Sequence, residues 1–234
     1  MSLIKDKKKS RKNGGYTRLF GNEELGSLIS KTQGTVISSG TELEKKIWNN
    51  SNKEKIIEKK LLINYLNNPY DGEFLIKKKI LKDSQLIKNK SPDIIFLKVK
   101  NRNKHCYIIE LKDGDTFDTK KVAGEIASLN DIEKQLKSKM NFTFSKHFCS
   151  FNLNDKKMII KGFKNKISEK EAMTGRELCE IIGVDYAKIL KMRKENQEEN
   201  LIFFINNFLK IDVVKKHLLK KKFPKQHFHI SEQN

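Results

Sequence analysis

Apolar positions recur along this chain with two periods, and their alternation lays out its elements. Ile94-Ile95-Phe96-Leu97-Lys98-Val99-Lys100 is a β-prone run, Asn101-Arg102-Asn103-Lys104 is polar and turn-like, and His105-Cys106-Tyr107-Ile108-Ile109 is β-prone again. Two such runs around a short polar loop predict an antiparallel hairpin. Upstream, Thr41 can cap a helix starting at Glu42-Leu43-Glu44, with Leu43, Ile47, Ile57, Leu61 and Leu62 as a discontinuous apolar face that breaks near Asn49-Asn50-Ser51. Asn67 to Gly72, with Pro69, is a turn cluster, and Phe74 to Leu81 reads as a first strand. Beyond the hairpin, Asp113-Gly114-Asp115 turns the chain into a helix with Val122, Ile126, Leu129, Ile132, Leu136 and Met140 on one face and Asp118 or Thr119 as its cap. Phe142 to Phe144 and His147 to Phe151 read as strand, Asn152 to Lys157 as loop, and Met158-Ile159-Ile160 as the next strand.

The order is therefore α-β-β-β-α-β-β, an α/β (α+β) chain with a mixed sheet flanked by helices. From Ser168 strand signals stop, and the remainder reads as helices with a basic tail, Lys215 to Lys225. The expected segments are a basic flexible arm (1–20), a core (21–167) and a helical region (168–234). Within the last, Thr174 to Ile189 has the pattern of two short helices: Thr174 is a fitting N-cap, and Gly183 permits the left-handed conformation that ends the first helix.

Charge narrows the list of partners. With 234 residues, Lys plus Arg at 49 against Asp plus Glu at 29, and a net charge of +20, the chain is large enough for a full core and strongly biased toward a polyanion. Lys5 to Lys12 alone carries six positive charges. No stretch is long and apolar enough to span a bilayer and the N-terminus lacks a signal-peptide core, so the expected location is the cytoplasm. Cys106, Cys149 and Cys179 are odd in number, far apart and set in apolar runs, which predicts buried thiols rather than a disulfide or zinc framework.

The hairpin also carries candidate chemistry. If its loop is Asn101 to Lys104, Lys100 faces His105, Asp93 falls opposite Lys112, and Glu110 lies diagonally from Asp93. All three then project from one face, and two carboxylates so placed can converge on one Mg²⁺ ion. Such an ion polarises a phosphate and acidifies bound water, while a lysine beside it positions that water and adds positive charge. Whether Lys112 also acts as the base is left open by the residue pattern.

Pro92-Asp93 followed by Glu110-Leu111-Lys112, within that element order, resembles the PD-(D/E)XK nuclease superfamily over roughly Thr41 to Phe163. The resemblance implies a restriction-endonuclease-like core, with Asp93, Glu110 and Lys112 catalytic and Asp93 and Glu110 on Mg²⁺. A family trait, a glutamate on the N-terminal helix that reaches the metal, is matched by Glu42, with Glu44 as runner-up. Lys120, Lys121 and Glu125, on the helix after the site, are expected to meet the DNA backbone or support the metal shell. Thr174 to Arg193 resembles a helix-turn-helix whose second helix would turn Tyr186, Lys188, Lys191 and Arg193 toward DNA, with Arg193 suited to guanine edges. His227-Phe228-His229 puts two imidazoles on one face of an extended segment, but without acidic or cysteine partners it does not predict a metal site.

The implied function is a Mg²⁺-dependent type II restriction endonuclease acting on double-stranded DNA as a homodimer, accompanied by a DNA methyltransferase for the same site. Two alternatives stand beside it. One is a structure-selective repair or junction nuclease of the same fold, and the other a non-catalytic helix-turn-helix regulator.

Overall fold

The structure is a computed structural model that describes residues 2–8, 14–88, 90–115 and 118–222. In chain order its elements are α1 (Gly15–Phe20), α2 (Glu23–Ile37), α3 (Ser39–Asn50), a 3₁₀ turn (Lys53–Lys55), α4 (Lys59–Asn67), β1 (Gly72–Ile76), α5 (Lys78–Asp83), β2 (Ile94–Lys100), β3 (Asn103–Lys112), α6 (Thr119–Lys137), β4 (Thr143–Ser150), α7 (Lys156–Gly162), β5 (Ala172–Thr174), α8 (Gly175–Ile182), α9 (Tyr186–Phe208) and α10 (Asp212–Lys222). They form two compact units, one of residues 40–191 and one of residues 1–39 with 192–234.

The larger unit is built on a five-stranded mixed sheet in the order β1-β2-β3-β4-β5, antiparallel from β1 to β3 and parallel from β3 to β5. Its strands are apolar on both sides because both faces are covered, as the β2 run from Ile94 to Val99 shows. On one face Ile95, Leu97, Val99, Cys106 and Ile108 pack with Val122, Leu129, Ile132 and Leu136 of α6; on the other Ile94, Phe96, Ile109 and Leu111 pack with Leu43, Ile47, Leu178 and Cys179. All three cysteines are buried free thiols, as their apolar settings predicted.

The hairpin differs from the expected one in its turn. Asn101 and Arg102 alone form it, with φ of 52° and 67°, the left-handed pair that a two-residue hairpin loop requires. Lys100 consequently pairs with Asn103, and His105 with Lys98 rather than Lys100. The register moves by two residues, an even number, so every side chain keeps its predicted face.

Three other expectations are corrected. Met158-Ile159-Ile160 is helical within α7, whose N-cap Asp155 accepts a hydrogen bond from the Lys157 amide; Ile159 alone of the three is buried. Phe74 to Leu81 is divided, with β1 ending at Ile76 and α5 starting at Lys78. Strand does not end before Ser168, because Ala172–Thr174 forms β5 beside β4. The α8 caps follow the sequence: Thr174 and Glu177 make a reciprocal capping box and Gly183 closes the helix at φ 71°.

Gly175 opens α8 against Phe151, the residue after β4, where a Cβ would lie 2.5 Å from the Phe151 carbonyl oxygen and 2.9 Å from its ring. Gly175→Ala is expected to lower stability by about 1–3 kcal/mol in denaturant titrations, since the overlap outweighs the gain of about 1 kcal/mol from better helix propensity. A stability equal to or above that of the parent chain would show that the strand can retreat.

In the smaller unit, α2 begins at the N-cap Asn22, whose side chain accepts from the Leu25 amide at 2.8 Å. Residues expected within a flexible arm are instead engaged: Ile4 is buried, its amide donates to Asn200 Oδ1 at 2.8 Å, Asn200 Nδ2 donates to the Ser2 carbonyl, and Lys5 pairs with Glu199. Lys9 to Asn13 of the arm, the end of the basic tail and His227-Phe228-His229 lie outside the described residues.

Candidate active site

Asp93 stands one residue before β2, and continuing the ladder past Ile94 and Ile109 sets it against Glu110, not Lys112. Its Oδ2 accepts from the Leu111 amide at 2.7 Å, tying the loop before β2 to the end of β3. Glu110 and Lys112, two residues apart on β3, share a face, and Lys112 Nζ donates to Glu110 Oε1 at 2.7 Å. Sheet pairing thus brings the three predicted side chains together at one end of the hairpin. Helix α6 crosses the same face, and Glu125, one turn beyond Val122, accepts from Lys112 Nζ at 2.8 Å.

Two further residues come to this end. Lys78, the first residue of α5, donates to Asp93 Oδ1 at 2.7 Å and to Glu44 Oε2 on α3 at 3.0 Å. Each of the site's lysines is therefore held between two carboxylates, Lys78 by Glu44 and Asp93, and Lys112 by Glu110 and Glu125. Of the two α3 glutamates, two positions at 100° each put Glu42 and Glu44 on opposite sides of the helix, and Glu44 is the one that reaches Lys78. Lys78 carried no signal in a sequence with so many lysines.

The electrostatics follow from burial. The Glu110 carboxyl, 14% exposed, is pushed up to about 8, first by burial and then by the charge of Asp93, which together outweigh the pull of Lys112. Burial by itself lowers the Lys112 pKa, but the charge of Glu110 and the hydrogen bonds to Glu110 and Glu125 more than compensate, so Lys112 is held above its ordinary value. Lys78 is likewise raised against burial by Asp93 and Glu44. Both ammonium groups stay charged at neutral pH.

These donors suit a hard cation. Among the described residues no group of three or more His, Cys, Asp or Glu is gathered around a metal position. Two carboxylates are enough for Mg²⁺, which keeps several waters and takes the rest of its shell from substrate phosphate. The Glu110 carboxyl is raised first by burial and only then by the charge of Asp93, and an added cation would bring it back down. Beside it a cavity of about 370 Å³ is lined by Lys112, Lys121, Val122, Glu125 and Phe163.

The other predicted contacts are placed as follows. Lys120 and Lys121 are exposed in the first turn of α6, where Asp118 caps both of their amides. Lys188 and Lys191 are exposed on α9. Tyr186 is half-buried, its ring 5.4 Å from that of Phe151 and beneath the Arg176 guanidinium, so it supports the α8–α9 pairing. Arg193 is 4% exposed, a correction to its expected display on the helix surface: its position falls on the inward side of α9.

No family model matches this sequence, and no solved structure matches it. The type II restriction enzyme HhaII of Haemophilus parahaemolyticus is 40% identical to it over 215 residues, 89% of this chain and 93% of that protein. With this identity sustained across nearly the whole of both sequences, the chain belongs to the family of the type II restriction enzyme HhaII.

Proposed function

We propose that this protein is a Mg²⁺-dependent, sequence-specific endonuclease of the PD-(D/E)XK type that hydrolyses phosphodiester bonds in double-stranded DNA. The observation that carries the reading is the convergence of Asp93, Glu110 and Lys112 at one end of a hairpin, in a chain that shares its length with a type II restriction enzyme. When bound, Mg²⁺ supplies a Lewis acid for the phosphate and lowers the pKa of a coordinated water.

The chain's own groups do the rest. Asp93 and Glu110 hold the cation, and Asp93 is fixed for this by the Leu111 amide. Lys112, held protonated between Glu110 and Glu125 before the metal enters, acts as a donor that orients the attacking water and offsets the charge growing on the phosphate. Exposed Lys120, Lys121, Lys188 and Lys191 supply phosphate contacts, in keeping with the net charge of +20. A homodimer would present two such sites to the two strands of a palindrome. A companion methyltransferase would protect the host's own copies of the site in the cytoplasm.

Digestion of a supercoiled plasmid in Mg²⁺ and in EDTA tests this reading. Discrete, reproducible fragments that form only with Mg²⁺ are expected. Cutting confined to branched substrates would point to a junction nuclease, and salt-sensitive binding without scission to a non-catalytic regulator.

A further inference from the structure

We infer that Lys78 is a tethered counter-cation that competes with the divalent metal for Asp93. The inference rests on the proposed role of Asp93 and Glu110 as cation ligands and adds a residue that this role does not include. Asp93 Oδ2 is occupied by the Leu111 amide, and Oδ1 is taken by the Lys78 ammonium at 2.7 Å. A divalent ion drawing on Asp93 must therefore share or displace that contact, and two cations on one carboxylate oxygen repel.

Lys78 has somewhere to go. Its ammonium is also bound to Glu44 at 3.0 Å, so leaving Asp93 does not strip it of a partner. A hollow of about 270 Å³ lined by Glu44, Trp48, Lys77, Lys78 and Lys79 opens beside it, and the Lys78 side chain is 37% exposed. Asp93 is only 17% exposed and has Glu110 as a near neighbour, so the tethered ammonium balances the site until the metal enters. Metal affinity is lowered by this competition, and metal entry leaves the Lys78 ammonium on Glu44 alone.

The test is thermal denaturation of the full chain over a Mg²⁺ series without DNA, reading the Mg²⁺ concentration at the midpoint of the stabilisation. Lys78→Met is expected to bind Mg²⁺ about five- to tenfold more tightly than the parent, while Lys78→Arg, which keeps the charge, is unchanged. Lys78→Gln, neutral and still a donor to Asp93, should follow Lys78→Met and replaces it if the methionine variant does not fold. An unchanged or weaker midpoint in the neutral variants would overturn the inference and leave the nuclease reading standing. If the parent chain shows no Mg²⁺ stabilisation that Asp93→Asn removes, the metal role of Asp93 fails, and the inference with it.

Discussion

Asp93→Asn is expected to reduce Mg²⁺-dependent DNA cleavage by about a thousandfold or more while leaving DNA affinity in EDTA equal to or above that of the parent. The size of the loss follows from the role: removing one of two carboxylates takes away the charge that holds the cation, and with it the electrophile and the activated water. Asparagine is a sharper probe than alanine because its side-chain oxygen still accepts from the Leu111 amide, which Asp93 Oδ2 does at 2.7 Å. The tie to the end of β3 is thereby kept, while the charge and the acceptor that faces Lys78 are lost. Binding should not fall, since a carboxylate facing a phosphate backbone repels it. Single-turnover cleavage and filter binding on the same plasmid measure both quantities. Full cleavage by this variant would remove Asp93 from the site.

Glu110→Gln is expected to stabilise the metal-free protein at pH 8–9 and to make little difference near pH 4. The folded-state carboxyl has its pKa raised from 4.5 to about 8. Across that window the native chain holds a proton the unfolded chain has released, so stability falls as pH rises and the deficit is complete above the folded value. It amounts to a few kcal/mol, on the order of 1.4 for each tenfold change in proton affinity. Glutamine removes the titration but still accepts from Lys112. Chemical denaturation in EDTA over this pH range gives the difference directly, and Mg²⁺ should restore the parent chain at high pH without helping the variant. Parallel pH profiles for the two proteins would refute the account of a buried, unbalanced carboxylate.

The hairpin and the trio on it were legible because a period-two pattern fixes the face of every side chain. The two-residue error in register did no harm, since an even shift preserves that face, whereas the same error of one residue would have turned Asp93 away. Local patterns failed where packing decides. Met158-Ile159-Ile160 is β-prone in isolation, yet a capped helix that buries Ile159 serves the α7 position better. Three residues of β5 are too few to carry a period, and they pair only because β4 lies beside them. At the site, Glu44 could not be separated from Glu42 without knowing where α3 faces. Lys78 was invisible because its role comes from two partners 34 and 15 residues away in sequence. The burial of Arg193 was missed for the opposite reason, in that a charged residue was assigned outward by default.

The central claim is that this site cuts duplex DNA at a defined sequence with Mg²⁺. Its most direct test is incubation of genomic DNA with the purified protein in Mg²⁺, with EDTA and Asp93→Asn as controls, followed by sequencing of the fragment ends. The account predicts ends that share one short sequence motif in the Mg²⁺ sample and no new ends in either control. Ends without a common sequence, or an undiminished set of ends from Asp93→Asn, would contradict it.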